Sequence, residues 1–251
     1  KDEKSKYVEI NYNQISKYLD SKEQGVREYA AKQFNKVNSR YLEIAEFEIN
    51  SVLEQKKIID EYRGFERPDL SRHIGDDIES EVVDTLVNVV TENFDISRGY
   101  YNIKARHLGK KKIKYYEKNV PIGQFDKSFS YRKSLDIVKK SFKNLDNDFY
   151  NIIDGYNKNG QYDVFPQQGK SGGAVCISMN KTLPTFILLN HNNRLNDLLT
   201  IAHESGHGIH SEFSRAQNSL NSGHPISLAE IASTFFENAV IQDILDESKE
   251  E

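Results

Sequence analysis

The sequence holds one cysteine in 251 residues, Cys176, so no internal disulfide framework can brace the fold, and the composition fits a reducing compartment. Its one methionine is Met179, and it opens on Lys1. A translation product begins with methionine, so a processed, trimmed or partial chain is expected. No apolar run is long enough to span a membrane, and no signal-peptide pattern stands at the start. Internal repeats and low-complexity tracts are absent as well. There is no excess of positive charge: the net charge is −4, and lysines and glutamates are intermixed as on solvated helix faces. These absences exclude a nucleic-acid partner and a membrane partner from the expectation, and leave a soluble, cytoplasmic protein. What is present is a polar-rich globular composition, 37% hydrophobic and 29% charged, long enough for one large domain or two small ones.

The stretch richest in chemistry is Leu198-Leu-Thr-Ile-Ala-His203-Glu204-Ser205-Gly206-His207-Gly-Ile-His210, a His-Glu-x-x-His pattern inside an apolar, helix-like run. On a helix, residues four apart stand about 40° from each other and about 6 Å along the axis. His203 and His207 therefore share a face and can grip one metal ion, while Glu204 is placed to take a proton from water beside it. Leu195, Leu198, Leu199, Ala202, Gly206, Ile209 and Phe213 form an apolar stripe, and the histidines lie along its edge. Gly206 and Gly208 each cost roughly 1 kcal/mol in a helix relative to alanine, and residues so small would let another segment pack close.

The rest of the chain reads as scaffold. Tyr7 to Tyr12 alternates as a short strand would. Ser21 with Gln24 makes a capping box, opening a helical pattern that runs to about Tyr62 with a break near Asn38-Ser39. Further helices are expected over about 79–91, with Val82, Val83, Leu86, Val89 and Val90 on the buried side, and over 95–108, 134–143 and 146–156. Lys110 to Lys114 reads as a solvated basic turn, and Pro121 with Gly123 as a loop. Three short strands then follow at 162–166, 174–179 and 185–190, ahead of the motif helix (about 195–215) and a last helix at about 227–245. The expected fold is mainly α: a multi-helical, zincin-like (gluzincin) domain with a small antiparallel β-sheet preceding the active-site helix. Residues 1–110 are expected to be helical scaffold and 111–251 the zinc-binding catalytic region.

A catalytic zinc commonly takes three protein ligands. His210 lies about 10 Å along the axis from His203, too far to join it and His207 on one ion with bonds of about 2 Å. It is left beside the ligands or facing substrate. A metzincin would place a third histidine ten residues after His203, where this chain has Phe213. A downstream glutamate remains. Glu212 is too near in sequence to fold back, and Glu247 stands close to the end. Glu230 and Glu237 lie seven apart on one helical face, and Glu230 is flanked by small and apolar residues, surroundings in which a charge needs a partner. Glu230 is the expected third ligand and Glu237 the group that orients a histidine.

His203-Glu-Ser-Gly-His-Gly-Ile-His210-Ser together with Leu228-Ala-Glu230-Ile-Ala-Ser-Thr234 resembles the oligoendopeptidase F branch of the thimet-oligopeptidase family of zinc peptidases. Tyr162 to Ala174 and Phe186 to Asn190 are similar to the segments ahead of that motif, and residues 7–110 match more loosely. The resemblance implies one Zn2+ held by His203, His207 and Glu230, with Glu204 as general base, hydrolysing unfolded oligopeptides inside a deep channel. Gly172, Gly173 and Ala174 would lie beside that channel, where strand backbone pairs with extended substrate. Family members extend further at both ends. The expected partners are therefore oligopeptides and the missing N- and C-terminal parts of the same protein. Without the downstream wall and its oxyanion donors, worth factors of about 10²–10³ in turnover, the chain alone is expected to be a poor peptidase. The rival reading is a zinc-binding module that cuts weakly or not at all.

Overall fold

The computed structural model describes residues 8–122, 128–179 and 181–249. Tyr7 and Gly123 lie outside them. Contacts divide the chain into two units, one of residues 1–10 and 15–125, the other of residues 11–14 and 126–251. The parting thus falls beyond residue 111, and residues 11–14 side with the second unit.

In the first unit the helices are α1 (Ile15–Leu19), α2 (Gln24–Asn38), α3 (Leu42–Arg63), α4 (Leu70–Gly75), α5 (Ser80–Glu92) and α6 (Phe94–His107). A 3-10 turn, Ser39–Tyr41, separates α2 from α3 where the break is expected. Gly64, at φ 69°, closes α3 in the left-handed conformation that glycine adopts without strain. Three expectations are corrected here. The described part of the Tyr7–Tyr12 segment is not a strand; Tyr12–Gln14 is a 3-10 turn belonging to the second unit. Glu23, not Ser21, stands at the start of α2, and the Ser21 hydroxyl instead accepts the Glu23 amide at 3.2 Å. The face of α5 expected to be buried is open, with Val82, Leu86, Val89 and Val90 all exposed, because no described segment covers it.

The small core of this unit is Val26, Ala30, Ala31, Ala105 and Val120, built around a buried charge cluster. Glu117 is fully buried. Its carboxylate accepts from Arg27 at 3.2 Å, from Lys110, and from the Lys114 backbone at 2.9 Å. Lys110 is therefore mostly buried and paired, unlike the solvated turn expected of it.

The second unit holds the main hydrophobic core. Ser130 caps α7 (Tyr131–Leu145), its hydroxyl accepting the Lys133 amide, and Asp146 caps α8 (Asn147–Lys158) by accepting the Asp148 amide at 2.7 Å. Leu135, Val138 and Phe142 recur at three- and four-residue steps on α7 and are buried. They meet Ile153 and Tyr156 of α8, Leu198, Ile201, Ala202 and Ile209 of α9 (Leu195–Ser214), and Phe236 and Val240 of α10 (Ile226–Lys249). Strands β1 (Tyr162–Asp163), β2 (Val175–Ile177) and β3 (Phe186–Leu188) form a sheet in the order β1-β3-β2. It is mixed, not wholly antiparallel: β2 and β3 pair antiparallel, but β3 inserts beside β1 and runs parallel to it, Tyr162 opposite Ile187. The fold is mainly helical with a small three-stranded sheet ahead of α9.

Candidate metal centre

Helix α9 begins where Asn193 turns into the left-handed region at φ 63°. Asp197 holds the entry, its carboxylate accepting the amides of Asn192 and Arg194 at 2.8 and 2.9 Å and pairing with the Arg194 guanidinium at 2.8 Å. From that anchor Leu198, Ile201 and Ala202 point into the core, while His203, His207 and His210 sit half-buried at its edge. Phe213, read as part of the buried stripe, is exposed.

The two glycines of the motif are contact points. A Cβ on Gly206 would come within 2.9 Å of the Ser233 Cα on α10, and one on Gly208 within 2.7 Å of the Tyr156 ring on α8. Glycine at 206 lets α10 approach until its carboxylates reach α9. His203 Nε2 then stands 3.4 Å from Glu230 Oε2 and His207 Nε2 3.8 Å from the same oxygen. One donor atom each from His203, His207 and Glu230 lies within 4.8 Å of the others, a spacing that fits three donors around one small ion. Glu237, one helical repeat on from Glu230, places Oε2 3.1 Å from His203 Nδ1. A carboxylate only accepts, so Nδ1–H donates, and in the neutral imidazole this makes Nε2, on the side of Glu230, the lone-pair nitrogen.

Glu204, next to His203 on α9, is buried. Burial raises its carboxyl pKa; the nearby His203 and the backbone N–H of Cys176 on β2 pull the other way. Burial also lowers the pKa of His207, against the attraction of Glu230, and so favours a neutral imidazole with a lone pair to give. The Cys176 thiol is pushed up to about 12 by burial and stays protonated at neutral pH. His210 stands apart from the donor set. Its ring stacks on His224 with centroids 4.1 Å apart. Gly172 and Gly173 are exposed in the loop before β2, and Ala174 packs at the edge of the core. Asn190 fixes that loop by donating to the carbonyls of Ser171 and Gly173 at 2.9 and 2.8 Å, and Asn13 donates to Lys170 O at 3.0 Å.

Sequence reasoning missed several supports. The Tyr162 hydroxyl meets Ser205 Oγ at 2.8 Å under the motif. The Tyr156 hydroxyl donates its one hydrogen to Glu212 at 2.9 Å, with Gly208 O a competing acceptor at 3.1 Å, and Arg215 pairs with Glu212 at 2.7 Å. The mid-helix glycines were the one signal in the sequence that pointed to such contacts.

A His-Glu-x-x-His helix crossed by a second helix that brings a glutamate to the same point is an arrangement of the metallopeptidase class. The chain belongs to peptidase family M3, whose model matches residues 17–250. It is similar to the oligoendopeptidase F homologue of Lactococcus lactis subsp. lactis (strain IL1403), 25% identical across the whole of this chain. The group B oligopeptidase PepB of Streptococcus agalactiae serotype III (strain NEM316) is 27% identical, again across the whole chain. In each case the chain spans 42% of the relative's length. Among solved structures, PZ peptidase A with an inhibitor superposes with a TM-score of 0.79 at 18% identity, covering 90% of this chain and 41% of that one.

Proposed function

We propose that this chain carries the zinc-binding part of an oligopeptide-hydrolysing site, with His203, His207 and Glu230 as ligands and Glu204 as general base. The observation that carries the reading is the convergence of two imidazole nitrogens and one carboxylate oxygen from α9 and α10 beside a buried glutamate. Zinc bonds of about 2.0–2.2 Å in a tetrahedral set put neighbouring donors about 3.3–3.6 Å apart. The 3.4 and 3.8 Å separations from Glu230 Oε2 are close to this, and the three donors, within 4.8 Å of one another, would draw together around the ion. When bound, zinc supplies Lewis-acid polarisation of the scissile carbonyl and makes water more acidic.

The chain's own residues do the rest. Glu237 holds His203 in the tautomer that offers Nε2. Glu204 takes a proton from the attacking water and passes it to the leaving amine nitrogen, and burial, by disfavouring its charged form, strengthens it as a proton acceptor. The exposed Gly172–Gly173 loop and β2, paired on one side by β3, are placed to meet an extended, unfolded peptide backbone. No described helix is long and apolar enough to cross a membrane, and the single reduced cysteine suits a cytoplasmic setting.

Glu204→Gln tests the role of the base. Zinc content should stay at the wild-type level, while cleavage of a fluorogenic peptide, followed by mass spectrometry over long incubation, should disappear. Undiminished cleavage in the variant would show that Glu204 is not the base. Zinc retained by the wild-type chain with no cleavage at all would support the non-cutting, zinc-binding reading instead.

A further inference from the structure

Glu230 is half exposed, on a side chain with three free torsions, and its Oε2 must nonetheless stay aimed at two imidazoles. A hydroxyl stands ready to hold it: Ser233 Oγ lies 2.9 Å from Glu230 Oε2. Ser233 is fully buried at the crossing of α9 and α10, its Cα directly over Gly206. The serine therefore has little freedom of its own, and the crossing fixes where its hydroxyl sits.

The same Oγ is 3.1 Å from the Glu230 carbonyl, the back-bond that serine often makes within a helix. A hydroxyl has one hydrogen, so the two acceptors compete for it. The carboxylate is nearer, and a bond to a charged oxygen is the stronger kind. The carbonyl is also served already, by the Thr234 hydroxyl at 2.5 Å. A carboxylate oxygen carries two lone pairs, so Oε2 can accept from Ser233 and still face the histidines.

We propose that Ser233 is a positioning residue for the metal centre: it donates to Glu230 Oε2, holds that oxygen toward His203 and His207, and so raises the affinity for zinc. This rests on the zinc reading above and adds to it a residue that touches neither ion nor substrate.

The test is zinc affinity, measured by competition with a chromogenic chelator on the 251-residue chain, with the melting temperature of the metal-free protein alongside. Ser233→Ala removes the hydroxyl and adds no bulk at the crossing. Its zinc affinity should fall by about 10–100-fold with the metal-free melting temperature unchanged, and the visible spectrum of its cobalt-loaded form should differ from wild type. Thr234→Ala, which loses only a bond to backbone, should bind zinc as the wild type does. Wild-type affinity in Ser233→Ala overturns the proposal, as does a lowered melting temperature with affinity intact. An equal loss in both variants overturns it too, by pointing to the helix as a whole. A wild-type chain that binds no zinc overturns the metal-centre reading itself, and this proposal with it.

Discussion

Helices α5 and α9 are both amphipathic by sequence, yet Leu86 of α5 stands 62% exposed while Leu198 of α9 is fully buried. The α9 stripe, apart from Phe213 at its end, is covered because α7, α8 and α10 bring apolar side chains to meet it, among them Phe142, Ile153 and Phe236. The α5 stripe meets no such surface among the described residues, and the first unit takes its order instead from a buried ion cluster. Periodicity makes a helix; burial needs a second surface of the right shape, which a one-dimensional pattern does not reveal.

The comparison can be broken by mutation. Phe142→Ala in the second unit should cost about 3–5 kcal/mol, read from urea denaturation followed by circular dichroism; a change below 1 kcal/mol would mean that this core is not packed as described. In the first unit Glu117→Ala should cost a similar 3–5 kcal/mol, since it strands the buried Arg27 and the largely buried Lys110 without their counter-charge.

Protons sharpen the same point. Burial alone would raise the Glu117 pKa, but Lys110, the Lys114 amide and Arg27 outweigh it and hold the carboxyl below its ordinary value. A depressed folded pKa stabilises the protein above the unfolded value of about 4.3, and that stability is lost as pH falls through the folded value. The advantage of wild type over Glu117→Gln should therefore be full at pH 7 and shrink in acid. An advantage that is constant from neutral pH into strong acid would contradict the assignment.

Smaller effects follow at the helix crossing and on the open face. Gly206→Ala gains helix propensity of about 1 kcal/mol but forces a Cβ against the α10 backbone, an overpacking cost of about 1–3 kcal/mol. A net loss of stability and weaker zinc binding are expected. Leu86→Ala should move stability by no more than about 0.5 kcal/mol; a loss several times larger would show that its face is covered in solution.

The contrast also marks how far the sequence could be read. His203, Glu204 and His207 are local to one helix, and their spacing alone puts them on one face. Glu230 and Glu237 were legible because a charge among small apolar residues needs a partner and because seven residues return to the same face. Ser233 was not legible, since its part depends on where Gly206 of another helix crosses. Tyr162 under Ser205, and Asn13 on the loop at 170–173, were equally hidden, because each joins segments far apart in the chain. Strand patterns found the three strands but neither their order nor the parallel pairing of β1 with β3, since both depend on how the connections route the chain.

The central claim, that α9 and α10 together hold one zinc ion, is tested most directly by metal analysis after exhaustive dialysis of wild type and Glu230→Ala. The account predicts one zinc per wild-type chain and close to none in the variant, with both folded by circular dichroism. Zinc retained in full by Glu230→Ala, or absent from a folded wild-type chain, would contradict it.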